Sequence, residues 1–246
     1  MTKEKILYRV INCKAHEKRL ETFKTKAANA GIPHVTRVSC INGCNFTNSK
    51  LCSMVREGIL NYRAELTPTE VAICLSHAKC WKQLIESKAN YMIIFEDDCR
   101  PYKSFMKNFD AFMKADLGFD ILWLYNGNWA KTKYTQKKIT TINKIPIFRE
   151  TTIYNASGSC YVITKKWAQV LYDKIFPIIE PVDNFMGSIR LKMGKHLSIQ
   201  NTRRKGASYD CFTQSPFMYV PCPSESTTTQ TYNSATITER KLKSCQ

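Results

Sequence analysis

Three adjacent carboxylates, Glu96, Asp97 and Asp98, follow the apolar and aromatic run Tyr91-Met92-Ile93-Ile94-Phe95. The run is short and mostly β-branched or aromatic, which is the pattern of a buried strand. In an open α/β sheet, ligands bind beyond the carboxyl ends of strands, and the acids stand at such an end. Neighbouring carboxylates repel one another unless a cation or hydrogen-bond donors offset the charge. Hard divalent ions such as Mg²⁺ or Mn²⁺ take oxygen ligands of this kind and share them with phosphates. An acidic turn after a strand is the alternative. A further acid, Asp183, lies in Glu180-Pro181-Val182-Asp183-Asn184 at the start of an expected short helix, where Asp commonly caps. Ser76 and His77 fall within an expected helix beside an apolar stripe, and such a histidine is more often packed and hydrogen-bonded than catalytic. His77 and Cys80, one turn apart, are a weak soft-metal pair.

The elements that must position these groups follow from periodicity and punctuation. Residues 5–12 read as a first strand ending at Asn12. Residues 16–30 read as a helix with Leu20, Phe23 and Ala27 on one face, stopped by Gly31-Ile32-Pro33. Arg19 lies on this helix, either facing solvent or reaching a phosphate. A second strand is expected near Val35–Ile41, and a long loop with a short helix near Ser53–Asn61 follows. Thr67-Pro68-Thr69-Glu70 combines an N-cap, a proline at N1 and an acid at N3, so a capping box opens a helix that runs to about Ser87. Further strands are expected at Asp120–Tyr125 and Cys160–Thr164, and helices around Phe105–Met113 and Lys166–Ile175. Residues 127–144, with Lys131, Lys133, Lys137, Lys138 and Lys144, read as a solvated loop or a hairpin over a site. Residues 217–220 read as an edge strand between prolines. One domain over 1–223 and a polar tail over 224–246 are the expected organisation.

The chain has 246 residues, of which 43% are hydrophobic and 23% charged, enough to build a core. The formal net charge of +17 favours an anionic partner: nucleotide phosphates, nucleic acid, a membrane surface or an acidic glycan. No apolar run is long enough to span a membrane. The start, MTKEKILYRVIN, lacks the apolar core of a signal peptide. A soluble protein in the cytoplasm, or in a host's cytoplasm, is the expectation. The 11 cysteines, scattered through strands and helices, read mostly as reduced core thiols. The Lys-, Ile- and Asn-rich composition is that of an AT-rich genome, such as a large virus has.

The order of motifs resembles the family 25 glycosyltransferases, which include lipopolysaccharide galactosyltransferases and procollagen hydroxylysine galactosyltransferases. The resemblance is carried by Val10-Ile11-Asn12 with Arg19, Leu66-Thr67 with Glu70, Leu75-Ser76-His77 with Trp81, and Ile94-Phe95-Glu96-Asp97-Asp98. It continues through Asp120-Ile121-Leu122, Tyr161-Val162-Ile163 and Pro181-Val182-Asp183. One departure is Cys13, where the family usually has Leu and then a basic residue. The resemblance implies an α/β fold of one domain, a GT-A-like (Rossmann-like) mixed sheet flanked by helices. It also implies a UDP-sugar donor, Mn²⁺ or Mg²⁺ at a D-x-D-type site, a glycan or protein hydroxyl as acceptor, and inversion at the anomeric carbon.

On this reading Asp98 is the first metal ligand, with Glu96 or Asp97 assisting through the metal or the ribose. Asp183 is the catalytic base, Asn12 and Arg19 hold the nucleotide, and Ser76 and His77 line the site or brace the acidic strand end. Two other classes compete. A basic nucleic-acid-binding protein would explain the charge, but no helix-turn-helix, zinc-finger or RNP motif is present and the acids would repel a phosphate backbone. The other is a transferase-like fold that has lost activity and binds glycans.

Overall fold

The computed structural model describes residues 6–124, 137–149, 158–193, 195–199 and 213–214. In chain order the elements are β1 (Ile6–Asn12), α1 (Glu17–Asn29), β2 (Thr36–Ser39), α2 (Asn48–Arg56), α3 (Pro68–Glu86), β3 (Tyr91–Glu96), β4 (Arg100–Pro101) and α4 (Phe105–Lys114). They continue as β5 (Ile121–Trp123), β6 (Lys137–Ile142), β7 (Ile145–Arg149), β8 (Cys160–Thr164), α5 (Lys165–Lys174), α6 (Val182–Met193), β9 (His196–Ile199) and β10 (Thr213–Gln214). Short 3₁₀ turns at Lys14–His16 and Gly43–Asn45 lie between them.

Among the described residues eight strands form one mixed sheet in the order β2-β1-β3-β8-β5-β9-β7-β6, and β10 pairs with β4. β1 lies parallel to both β2 and β3, whereas β8 runs antiparallel to its neighbours β3 and β5. The carboxyl end of β3 therefore meets the amino end of β8, and Phe95 pairs with Cys160.

Strand side chains alternate between faces. On one face Ile11, Met92, Ile94, Ile121, Trp123, Tyr161 and Ile163 pack with Leu51 and Met54 of α2, with α3 and α5, and with Phe185 and Met186 of α6. On the other, Val10, Ile93, Phe95, Leu122 and Val162 pack with Leu20, Phe23 and Ala27 of α1 and with Phe105, Phe109 and Phe112 of α4. Burial on both faces is why β3, β5 and β8 read as apolar runs.

The capping box at α3 forms as the sequence predicts. Thr67 Oγ1 accepts from Glu70 N at 3.2 Å, and Glu70 Oε2 accepts from Thr67 N at 2.7 Å. Thr67→Ala is expected to cost about 1 kcal/mol, a melting-temperature loss of roughly 2–4 °C for a chain of this size, measurable by calorimetry. The helix between β2 and α3 starts earlier than expected, at Asn48, because Thr47 caps it by accepting from Lys50 N. Ahead of it, the loop at Gly43 lies hard against the start of α3, where a Cβ would come within 2.5 Å of Pro68 O.

Of the two readings of the lysine-rich segment, the hairpin is the one seen: Lys137, Lys138 and Lys144 belong to the β6–β7 hairpin at the sheet edge. Asn143 and Lys144 turn it with φ of 48° and 65°. Lys131, Lys133, the 217–220 strand and the 224–246 tail lie outside the described residues.

The reading of the cysteines is corrected. Cys74, Cys80, Cys99 and Cys160 are free and buried, but Cys13 and Cys40 form a disulfide, and Cys44 and Cys52 are also disulfide-bonded. Cys13 and Cys40 directly follow adjacent parallel strands in which Asn12 pairs with Ser39, which brings their Cα atoms to 4.9 Å. Disulfides persist in oxidising compartments, at odds with the expected cytoplasmic placement. Among the described residues no helix is long and apolar enough to cross a membrane.

Candidate active site

The three acids part company at the end of β3 because alternation and the following turn send them in different directions. Glu96 continues the Ile94 face toward α3, where His77 Nε2 stands 3.4 Å from its Oε1. Asp97 continues the Phe95 face, where Asn12 Nδ2 donates to its Oδ2 at 2.6 Å and Arg19 on α1 pairs with its Oδ1. Asp98 completes the turn, closed by the bond from Cys99 N to Glu96 O at 3.1 Å, and lies 3.8 Å from the same Arg19 guanidinium. β8 secures the strand end from the other side: Ser159 O accepts from Glu96 N at 2.8 Å and from the Cys99 thiol.

Asn12 is itself tightly held. Its side chain also donates to His16 O, and its carbonyl accepts from Cys40 N at 3.1 Å and from Arg37 Nε at 3.4 Å. The Cys13–Cys40 bond clamps this corner. Closing a loop of 27 residues removes about 3–4 kcal/mol of unfolded-chain entropy. Cys40→Ser is expected to lower stability by an amount of that order, read as a shift in denaturant midpoint. Wild-type protein treated with reductant should shift the same way.

Electrostatics separate the acids. Burial pushes the Asp98 carboxyl up to about 7, Glu96 and Asp97 add to the rise, and Arg19 only partly offsets it. Asp97 is also raised, by burial first, against the opposing pull of Arg19 and Asn12. Asp98 thus carries charge that the protein does not fully compensate, and its Oδ1 is buried without a hydrogen-bond partner, as is Asn12 Oδ1. An oxygen-only set with uncompensated negative charge fits a hard divalent cation. Among the described residues no group of three or more His, Cys, Asp or Glu side chains is placed to hold a metal. The protein would therefore supply only part of a coordination shell, as is common where Mg²⁺ or Mn²⁺ shares its ligands with phosphates and water.

Asp183, in the first turn of α6, comes from a distant part of the sequence and lies close enough to Glu96 and His77 for their charges to act on it. Burial raises its carboxyl above the ordinary range. The bond from Asn184 N, 2.9 Å from Oδ1, opposes the rise, and nearby Glu96 and His77 act on it in opposite senses. Asp183 is the second residue of α6 rather than its N-cap, and its side chain accepts the N–H of the next residue in the first turn. Ser76 is buried with its hydroxyl engaged inside the fold, donating to Ala72 O at 2.7 Å and accepting from Ile41 N at 2.9 Å. That is the position of a brace between α3 and the loop after β2. Sequence reasoning passed over Tyr161 and Trp81 as site-side groups, although both stood in its motifs. The phenol oxygen of Tyr161 lies 2.9 Å from His77 Nδ1 and from Trp81 Nε1.

The model of the family described as glycosyltransferase family 25 (LPS biosynthesis protein) matches residues 6–186. The chain belongs to glycosyltransferase family 25, and its α/β fold has the mixed sheet flanked by helices expected from the sequence. Two solved structures of S. aureus TarS, residues 1–349, are similar to it. One aligns at 12% identity and a TM-score of 0.43 over 80% of this chain and 58% of that one. The other, TarS in complex with UDP-GlcNAc, aligns at 14% identity and a TM-score of 0.38 over 83% and 61%. This chain therefore spans about three-fifths of those solved chains. No curated protein matches the sequence.

Proposed function

We propose that the chain transfers a hexose from a UDP-sugar to a hydroxyl of a glycan or protein, with inversion and with help from a divalent cation. The observation that carries this reading is the acidic end of β3 with a second carboxylate, on α6, close enough to Glu96 for charge to act between them. Burial, Glu96 and Asp97 penalise the ionised form of Asp98 more than Arg19 offsets, and Asp183 is a half-buried, hydrogen-bonded carboxylate contributed from α6.

Asp98, with Glu96 or Asp97 assisting, would hold Mn²⁺ or Mg²⁺. When bound, the cation supplies Lewis-acid stabilisation of the negative charge on a departing diphosphate. Asn12 and Arg19 fix Asp97 and border the nucleotide. Asp183 takes the proton of the acceptor hydroxyl as its oxygen bonds to the anomeric carbon. The glycosyl–phosphate bond breaks on the opposite face, UDP leaves with its electron pair, and the carbon inverts. Asp183 returns the proton to solvent. A raised pKa makes Asp183 a stronger base than an exposed aspartate while leaving it ionised above that pKa.

The test is UDP release from UDP-glucose, UDP-galactose and UDP-GlcNAc with Mn²⁺, with and without sugar and hydroxylysine-peptide acceptors. Release from one donor that is stimulated by an acceptor and abolished by chelation is the expected result. No release from any donor, with no thermal stabilisation by UDP and Mn²⁺, overturns the reading.

A further inference from the structure

A buried polar chain stands behind Glu96. Trp81 on α3 is fully buried, and its indole N–H, which can only donate, donates to Tyr161 Oη at 2.9 Å. The same oxygen lies 2.9 Å from His77 Nδ1, and both side chains are shut off from solvent. Burial raises the Tyr161 phenol well above its ordinary range, so it keeps its proton. A buried hydroxyl proton without an acceptor is costly. Trp81 cannot accept one, and the acceptor beside the phenol is Nδ1. Tyr161 therefore donates to Nδ1. The imidazole proton then sits on Nε2, the nitrogen that faces Glu96 Oε1 at 3.4 Å.

Packing holds this arrangement in place. The His77 and Tyr161 rings stack at 18° with centroids 5.8 Å apart. Gly158 closes over the contact: a Cβ there would stand 3.4 Å from His77 Cε1, 3.5 Å from Nε2 and 3.7 Å from Glu96 Oε1. Even an alanine would be in contact with both partners, and a larger side chain would enter the space between them.

We infer that Trp81 and Tyr161 are positioning residues for sugar transfer: they lock His77 in the Nε2–H tautomer, and His77 in turn orients Glu96 at the donor site. The tautomer follows from the buried chain alone. The consequence for transfer rests on the function proposed above.

The chain has four histidines, so ¹⁵N-edited NMR of the imidazole nitrogens can be assigned by comparison with His77→Gln. Wild-type protein is expected to show His77 protonated on Nε2 with Nδ1 as acceptor. Tyr161→Phe, which keeps the ring and removes the hydroxyl, should release the lock and give a mixture of tautomers. Its kcat/KM for the UDP-sugar should fall about 10–100-fold, the usual effect of losing a partner that orients a ligand-holding group. The loss should lie mainly in KM and persist per folded molecule. Among His77 variants, Gln, which carries an amide donor near the Nε2 position, should retain more donor affinity than Asn. A purely structural role would lower melting temperature in all of these and leave kcat/KM per folded molecule unaltered. His77 protonated on Nδ1 in the wild type overturns the inference, even where Tyr161→Phe fails to fold. A folded Tyr161→Phe enzyme with unchanged kcat/KM also overturns it. An Nε2–H wild type that releases no UDP from any donor leaves the lock standing and overturns the transferase reading instead.

Discussion

Replacing Asp183 with asparagine is expected to lower turnover by about 10²–10⁴-fold, the usual contribution of a general base, while UDP affinity hardly moves. Asparagine keeps the oxygen that accepts from Asn184 N, and it caps a helix about as well as aspartate. The direction of the stability change is also set. Burial raises the folded pKa of Asp183 above the 3.8 of a free aspartate. The group's contribution to stability is therefore fully present below the unfolded pKa and is lost as pH rises through the folded one. At neutral pH the ionised side chain is a burden that a neutral amide removes, so the melting temperature should hold or rise. Activity has the opposite sense: the base works only when ionised, so kcat should rise with pH along a limb lying above 3.8. Turnover corrected for folded fraction, measured beside UDP binding, checks all of this. Near-normal turnover returns Asp183 to helix capping and makes Glu180 the next base to test.

The same residue shows what a sequence discloses and what it withholds. β1, β3, β5 and β8 were legible because both faces of the sheet are covered and their side chains are apolar almost throughout. α3 was legible because its capping box is a local hydrogen-bond pattern. The acidic strand end was legible as a cluster, but the partner each acid takes was not. That depends on alternation between faces and on which helix each face meets: Arg19 on α1 for Asp97, His77 on α3 for Glu96. The Cys13–Cys40 pair and the Trp81–Tyr161–His77 chain join residues from distant parts of the sequence, where no local period can signal contact. The hairpin at the sheet edge was not separable from a loop, because Lys138 and Lys144 stand exposed on it and give no burial pattern. Its usable signal was Asn143, a residue that tolerates the positive φ a tight hairpin turn requires.

Charge at Asp98 gives the other large effect. Its carboxyl titrates near 7 because burial, Glu96 and Asp97 all penalise the ionised form and Arg19 compensates only in part. A raised folded pKa means that the metal-free fold loses stability as pH climbs from the unfolded value of 3.8 through about 7. A divalent cation held by the ionised carboxylate would reverse that trend. Mn²⁺ with UDP should thus raise the melting temperature strongly at pH 8 and weakly at pH 5.5, with chelation removing the gain. Asp98→Asn should do two things at once. It should stabilise the metal-free protein at pH 8, because the amide carries no charge to repel Glu96. It should also abolish the Mn²⁺-dependent part of UDP binding, lowering UDP affinity by tenfold or more if the cation bridges protein and diphosphate. Asp98→Ala should remove the same cation dependence and leave the sheet folded. An acidic turn without a metal role predicts the stability gain alone. A folded Asp98→Asn protein that binds UDP with the wild-type Mn²⁺ dependence would show that the cation, if one binds, is held elsewhere.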